Sequence, residues 1–228
     1  MDWLKPGTKA SDYQCPARGF WFQLKSKKSP IGQSIRDGAY RAMMEAIQQD
    51  RAPSFFFLHY DLATWSVRNL LLVPYFAFPP SAIIKCPPLS ATARRAGWIG
   101  CNFNLSRIPQ DARIAVVVEK HVTPATEVRE KFQKVKPLKE LSVKERGWTL
   151  DVLNVVAAVC DRRKADAHRA PLQDWKEFTN ADVYAYQREL EALHPDNRHV
   201  RDKIRQQLQI LRDAKLLIHV GSGVWRLP

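Results

Sequence analysis

Residues Arg18-Gly-Phe-Trp-Phe-Gln-Leu-Lys-Ser-Lys-Lys28 give the clearest indication of the architecture, because bulky and polar side chains alternate over the second half of this segment. Side chains repeat every two residues along a β-strand, so this alternation predicts a strand with one buried face. Gln23 and Lys25 then lie on the same side of that strand. The segments on either side of this strand have the patterns of further strands and of helices that would cover the sheet.

The segments around this strand predict a mixed sheet flanked by helices. A helix is predicted from Gln33 to Asp50, where apolar residues recur at helical spacing, and Pro53 ends it. The rest of this half, in chain order, is predicted as strand 53–60, turn 61–64, strand 65–73, a proline-rich loop 79–92, strand 97–105 and strand 113–119. The pattern is typical of an α/β domain over residues 1–123.

The composition changes at residue 124, where large apolar groups become scarce, and this predicts a linker over 124–146. A second domain is expected over 147–228. Thr149 is predicted to cap its first helix, Thr179 its second, and a third helix is expected from about Arg198 to Leu216. Two short strands, 217–220 and 224–227, then surround a glycine turn. Three helices followed by such a hairpin predict a winged-helix domain.

Charge indicates the kind of partner. The 228 residues include 36 Lys and Arg against 23 Asp and Glu, a formal net charge of +13. Such an excess favours a polyanion, because neutralising phosphates releases condensed counterions. No apolar run approaches the roughly 20 residues of a membrane helix, and the first residues lack a secretory apolar stretch. We therefore expect a cytoplasmic protein with no membrane partner.

Asp12, Gln23 and Lys25 are the candidate catalytic residues. A phosphodiester nuclease needs oxygen ligands for magnesium and a nearby cation that orients water and offsets developing charge. The spacing D-x10-[EQ]-x-K is common on surface strands, so it does not decide the function by itself. Glu45 on the following helix is a possible supplementary carboxylate; the alternative is an ordinary solvated glutamate.

Several longer segments resemble the DpnI or Dam-replacing family of restriction endonucleases. The matching segments are Ser11-Asp-Tyr-Gln-Cys15, Phe22-Gln-Leu-Lys-Ser-Lys-Lys28, Asp37-Gly-Ala-Tyr40, Phe55-Phe-Phe-Leu58, Thr92-Ala-Arg-Arg-Ala-Gly-Trp-Ile-Gly-Cys-Asn102, Gly147-Trp-Thr-Leu-Asp-Val-Leu153 and Leu193-His-Pro-Asp-Asn-Arg-His-Val-Arg-Asp-Lys-Ile-Arg-Gln-Gln-Leu208. The resemblance implies a PD-(D/E)XK nuclease-like sheet followed by a winged helix. It also implies a type II, methyl-directed enzyme of a restriction system, which cleaves double-stranded DNA at GATC sites with methylated adenine and uses Mg²⁺.

The resemblance assigns roles within the first domain. Asp12 corresponds to the metal-binding aspartate, Lys25 to the motif lysine, and the backbone carbonyl of Leu24 to a further metal ligand. Gln23 stands where the family usually has glutamate, so weakened metal affinity is expected with cleavage retained. The family carries two CxxC pairs, whereas here Cys15-Pro-Ala-Arg18 keeps one cysteine. No zinc site is therefore predicted, and Cys15 is interpreted as a remnant.

DNA contacts are expected from both domains. By resemblance, Arg94, Arg95 and Trp98 form the loop that reads methyladenine; without it, a buried tryptophan and solvated arginines would be favoured. In the winged helix the basic residues expected to bind DNA are Arg198, His199, Arg201, Lys203 and Arg205. Asp202 and Asp213 predict that some of them form helix salt bridges instead. Two alternatives stay open: a weakened or inactive nuclease that binds methylated DNA as a regulator, and an RNA-binding protein. A monomer is expected.

Overall fold

The chain divides into two compact units, Met1–Lys139 and Glu140–Pro228. The computed structural model describes residues 2–3, 11–16, 19–166 and 176–228. Within those ranges, none of the helices combines the length and the hydropathy that crossing a bilayer would require. Each unit is described separately below.

The first unit contains ten strands and two α-helices within the described residues. In chain order they are β1 Asp2–Trp3, β2 Tyr13–Gln14, β3 Trp21–Lys27, β4 Ser34–Ala39, α1 Tyr40–Gln48, β5 Ser54–Asp61, β6 Ser66–Val73, β7 Ile83–Pro88, β8 Ile99–Asn104, β9 Ile114–Val118, β10 His121–Val122 and α2 Ala125–Val135. Seven strands form one sheet in the order β1-β2-β3-β5-β6-β9-β10, and three form a second in the order β4-β8-β7. In the large sheet β3 runs parallel to β5 and the other described pairs are antiparallel. The predicted fold class, a mixed sheet flanked by helices, is confirmed.

Strand β3 lies inside the large sheet, between β2 and β5, and other elements cover both faces of the sheet in this region. On one face Phe22 stacks on Phe56, with ring centroids 5.4 Å apart, in a cluster with Leu72 and Ile114 that Val128 and Phe132 of α2 cover. On the other face Phe55 and Phe57 of β5 pack against Phe103 of β8, at 4.6 and 5.9 Å between centroids. The small sheet therefore covers the face of the large sheet opposite to α2.

Two expectations for this unit are wrong. The helix predicted from Gln33 begins only at Tyr40, because residues 34–39 form β4, which pairs with β8 and buries Ile35. The helical spacing of apolar residues begins at Ile35, but only residues 40–48 form a helix. Residues 83–88, predicted as part of a loop, form β7, an outer strand of the small sheet. Its prolines are tolerated because an outer strand leaves backbone N–H groups unpaired on one side, and the register shifts between Lys85 and Pro88.

The structure differs from the linker predicted over 124–146. Residues Ala125–Val135 form α2, and its Val128 and Phe132 join the apolar cluster of the large sheet. The unit boundary lies after Lys139. A short amphipathic helix needs few large apolar residues to cover a sheet, so a composition poor in them resembles that of a linker.

The second unit is a winged helix. In chain order its elements are α3 Val143–Asp166, β11 Glu177–Thr179, α4 Asn180–Tyr184, α5 Gln187–Leu193, α6 Val200–Asp213, β12 Ile218–Gly221 and β13 Val224–Arg226. The strands form an antiparallel sheet in the order β11-β13-β12. The hairpin of β12 and β13 is the wing, and β11 is a strand that the sequence pattern did not predict. Helix α6 places Ile204, Leu208 and Leu211 in the core, as predicted.

One of the two predicted helix caps is correct. Thr179 caps α4 in a reciprocal arrangement with Asp182, whose carboxylate accepts from the Thr179 backbone N–H at 2.6 Å. Thr149 lies inside α3, so its assignment as a cap is wrong. Its hydroxyl is within hydrogen-bond distance of the Glu145 carbonyl, at 2.8 Å, and of Gln207 Oε1, at 2.6 Å. Ser142 and Glu145 form the start of α3 instead, since the Ser142 hydroxyl donates to the glutamate carboxylate at 2.7 Å.

Candidate metal and DNA-binding site

Asp12 is anchored to the central strand β3. Its backbone N–H donates to the Phe22 carbonyl at 2.8 Å, and its carboxylate Oδ2 accepts from the Leu24 N–H at 2.8 Å. Leu24 is the residue between Gln23 and Lys25, so this bond places the carboxylate beside that segment. The N–H and C=O of one strand residue point to the same edge, so the Leu24 carbonyl faces the side on which Asp12 lies.

Gln23 carries a buried oxygen that has no hydrogen-bond partner in the described part of the chain. Among the described residues, no donor lies within hydrogen-bond distance of its side-chain Oε1. Buried polar atoms are nearly always paired, and an acceptor left unpaired is costly. A buried oxygen that lacks a hydrogen-bond donor, in the residue next to the one that holds the Asp12 carboxylate, has the chemistry of a metal ligand.

Lys25 makes an ion pair that the sequence analysis did not predict. Its Nζ contacts Oδ1 of Asp37, on the neighbouring small sheet. The lysine side chain is 22% exposed and the aspartate 5%, so the pair lies at the edge of the interior. The lysine is thereby held with its ammonium group next to a second carboxylate.

Asp37 is further enclosed by β8. The Cys101 thiol donates weakly to Asp37 Oδ2, with 3.9 Å between sulfur and oxygen. Burial raises the pKa of Cys101 to about 12, and the negative charge of Asp37 adds to this shift. The thiol therefore stays protonated at neutral pH and remains a donor. Asp37 stands in the matched segment Asp37-Gly-Ala-Tyr40, and this was the signal in the sequence that could have identified it.

The donor set suits magnesium better than zinc. Oxygen atoms of Asp12, Gln23, Leu24 and Asp37 belong to β3 or to segments in contact with it, and hard divalent cations prefer oxygen ligands. Within the described residues, no three His, Cys, Asp or Glu side chains form a group that could hold a metal ion by themselves. A magnesium site here would thus depend on amide and backbone oxygens as well as carboxylates. Cys15 is a free, half-buried cysteine, and the absence of a zinc site stays a prediction.

The structure gives Glu45 a different environment. It lies on α1, where its carboxylate accepts from the Arg41 guanidinium at 3.0 Å, and its side chain is 52% exposed. In the described part of the chain, no hydrogen bond or ion pair joins Glu45 to Asp12, Gln23 or Lys25. This arrangement favours the interpretation as a solvated helix residue.

The loop between β7 and β8 has a defined conformation. Backbone bonds from Leu89 to Trp98 at 2.9 Å and from Gly97 to Leu89 at 3.0 Å close it at its base. Arg94 and Arg95 are exposed, and the Arg95 guanidinium lies 4.7 Å from the centroid of the half-buried Trp98 ring. The loop therefore presents two cations and an aromatic ring together, although β8 buries part of that ring.

Gly100 makes room for that ring. A Cβ atom at this position would lie 2.8 Å and 2.9 Å from two carbon atoms of the Trp98 indole. Real Cβ atoms do not approach so closely, so the ring lies where only glycine leaves space for it. Gly100 thus permits the orientation that the tryptophan adopts.

The basic residues of the winged helix are unequally available for DNA. Arg205 pairs with Asp202. Arg201 donates to Gln187 Oε1 at 2.7 Å. Arg198, in contrast, is exposed and has no side-chain partner among the described residues. Arg198 and His199 precede α6, which begins at residue 200. The prediction that aspartates would pair with some of these bases is confirmed by Arg205–Asp202. Asp213 pairs instead, at 2.9 Å, with Arg212, which was not one of the predicted DNA-binding bases.

The fold and the family together define a restriction-type, DNA-binding nuclease. A sequence model of the DpnI, Dam-replacing family matches residues 1–141, and a model of the Dam-replacing HTH domain matches residues 172–227. The first match covers more than half of the chain, so this protein belongs to the DpnI, Dam-replacing family. The resemblance seen in the sequence segments is thereby confirmed, as is the C-terminal DNA-binding domain.

Proposed function

We propose that this protein is a magnesium-dependent, type II methyl-directed endonuclease that cleaves double-stranded DNA at GATC-like sites with methylated adenine. Family membership supports the methyl-directed nuclease class. The observation that carries the catalytic part is the Asp12 carboxylate, bonded to the Leu24 N–H between Gln23 and Lys25, together with a buried Gln23 oxygen that has no donor among the described residues. The chain's strong positive charge supports a nucleic-acid substrate.

The residues of the site would divide the work. Asp12, Gln23 Oε1 and the Leu24 carbonyl would hold the metal ion, and the Leu24 N–H keeps the aspartate oriented for it. Bound magnesium supplies electrophilic polarisation of the scissile phosphate. Lys25 would donate hydrogen bonds to the attacking water or to a phosphate oxygen, offsetting the negative charge that develops there. Its pair with Asp37 restricts the ammonium to one region.

Specificity is proposed to come from both units. In the first, Arg94 and Arg95 would contact phosphates or guanine, and the Trp98 face would contact the methyl group. In the second, the amino-terminal part of α6 and the residues before it would enter the major groove. Two DNA-binding units within one chain make a second copy unnecessary for recognition, which supports a monomer. The DNA substrate supports action in the cytoplasm as part of a restriction system.

A second candidate function is a methylated-DNA-binding regulator that cleaves weakly or not at all. The specific observation in its favour is Gln23, because an amide brings no charge where the family usually has a glutamate. Under this proposal the two units still bind DNA, and only the chemical step is lost.

One experiment separates these functions. The protein is incubated with methylated and unmethylated GATC plasmid, with Mg²⁺ or with a chelator, and the products are resolved on a gel alongside a binding assay. Magnesium-dependent cutting of the methylated plasmid alone is expected. Retention of methylated DNA without cutting would instead establish the regulator, and a preference for RNA would refute both.

Substitutions test the assigned residues. Asp12→Ala should abolish cleavage and spare DNA binding, since the aspartate is proposed to hold the metal and not the DNA. Persistent cutting by this variant would overturn the assignment. Gln23→Glu should raise the cleavage rate, because it adds a negative charge next to the metal. Asp111→Asn is a matched control, since Asp111 pairs with Lys134 of α2, on the opposite face of the large sheet.

A further inference from the structure

We propose that Asp37 is the second metal-binding carboxylate of this site, and that it supplies the charge that Gln23 lacks. This inference rests on the proposed magnesium-dependent function. Asp37 comes from the small sheet, whereas Asp12 and Gln23 are attached to the large one. Without Asp37, the ligand set of Asp12, Gln23 and the Leu24 carbonyl has a single negative charge. The Asp37 carboxylate would add a second.

Charge is the first argument. Divalent cations are bound more tightly as the number of charged oxygen ligands rises. Asp12 provides one negative charge and Gln23 none, so a site made only of these two and a backbone carbonyl would hold magnesium weakly. Asp37 would bring the charge of the protein ligands to the level that an aspartate and a glutamate would give.

Position is the second argument. The Asp37 carboxylate contacts the ammonium of Lys25, two residues from Gln23 on the same face of β3. Its side chain is 5% exposed, so the carboxylate is directed into the space between the two sheets rather than to solvent. The buried Gln23 Oε1, which has no donor among the described residues, is an independent sign that a ligand belongs in this space.

The surroundings of Asp37 leave it able to bind a cation. One oxygen contacts Lys25, and within the described residues the other has only a long contact with the Cys101 thiol, 3.9 Å from sulfur to oxygen. A thiol is a weak donor, so a metal ion would replace it at little cost. Lys25 would remain close enough to serve the phosphate or the water.

Direct metal binding tests the proposal. Full-length protein is titrated with Mn²⁺ in the presence of a methylated GATC duplex, and free Mn²⁺ is followed by electron paramagnetic resonance. Asp37→Asn, which keeps the shape of the side chain, should weaken Mn²⁺ binding by roughly tenfold or more. The Asp111→Asn variant, which also breaks a lysine–carboxylate pair, should bind Mn²⁺ like the parent chain.

A double variant separates metal binding from folding. Gln23→Glu combined with Asp37→Asn returns one negative charge to β3 and should recover most of the lost Mn²⁺ affinity. Unchanged Mn²⁺ affinity in Asp37→Asn, or no Mn²⁺ uptake by the parent chain, would overturn the inference. If Asp37→Asn unfolds, failure of Gln23→Glu alone to tighten Mn²⁺ binding would overturn it, because the two carboxylates would then not share one ion.

The results that would refute the proposed endonuclease function differ from those that would refute the role of Asp37. A parent chain that binds Mn²⁺ through Asp37 but leaves methylated plasmid intact would refute the endonuclease and keep this metal ligand. A parent chain that cuts the plasmid, together with an Asp37→Asn variant of normal Mn²⁺ affinity, would refute only the role of Asp37.

Discussion

Replacing Gly100 with alanine tests whether the orientation of Trp98 sets the preference for methylated DNA. The new Cβ would lie 2.8 Å and 2.9 Å from two indole carbons. Carbon atoms pack best at roughly 3.5–4.0 Å, so the ring must withdraw by about 1 Å. Trp98 is only half-buried, so the ring can move, and we expect a stability loss of about 1 kcal/mol.

The effect on DNA recognition follows from the same displacement of the ring. Withdrawal of the ring weakens the Arg95–Trp98 contact, but this contact is made within the protein and so adds little to the change in DNA affinity. It would also remove the proposed apolar contact with the DNA methyl group, which is worth about 0.8 kcal/mol. Such a loss corresponds to a roughly 4-fold lower affinity for the methylated site.

Fluorescence anisotropy with labelled duplexes measures this change. Binding of methylated and unmethylated GATC duplexes is compared in chelator, so that cleavage does not interfere. Gly32→Ala is the matched control, because a Cβ at Gly32 would meet nothing within 4 Å. If Gly100→Ala keeps the parental ratio of the two affinities, Trp98 does not read the methyl group.

Three further predictions address the thiol, a helix cap and the DNA-binding helix. Since burial raises the pKa of Cys101 to about 12, this thiol should not react with Ellman's reagent at neutral pH until the protein is unfolded; rapid reaction of Cys101 in the folded protein would contradict its burial. Thr179→Ala should lower the free energy of unfolding by about 1 kcal/mol in chemical denaturation. Partial burial raises the pKa of Asp182, but hydrogen bonds to the cap outweigh it and hold the pKa below its usual value. The parent's advantage should therefore be present at neutral pH and shrink as the pH falls through that lowered pKa; a difference independent of pH would refute this role. Arg198→Ala should reduce the slope of log affinity against log salt by about 1, whereas Arg205→Ala, whose arginine pairs with Asp202, should reduce it less; equal slopes in the two variants would show that the ion pair opens on DNA.

The sequence was sufficient for the elements whose patterns are local. Alternation over residues 21–27 predicts β3, because a strand with one buried face alternates apolar and polar residues. Apolar runs predict β5 and β6, because a strand that is buried on both faces is apolar along its length. The Thr179 cap could also be predicted from the sequence, since Thr179 and its partner Asp182 are three residues apart.

The missed elements depend on distant partners. Residues 34–39 have helical spacing, but pairing with β8 about 65 residues later makes them a strand. The same pairing brings Asp37 to Lys25, so the second carboxylate of the site could not be placed by spacing along the chain. Thr149 resembles a cap, but its partner Gln207 is 58 residues away.

The β7–β8 hairpin joins the loop that we propose to select the substrate to the proposed catalytic site. The loop at its tip carries Arg95 and Trp98. Strand β8, which follows this loop, places Cys101 against Asp37. A change in the position of Trp98 therefore lies only a few residues from Cys101, whose thiol contacts the carboxylate that pairs with Lys25. Evolution, or an engineer who exchanges this tip for another, would tune base discrimination and turnover together rather than one at a time.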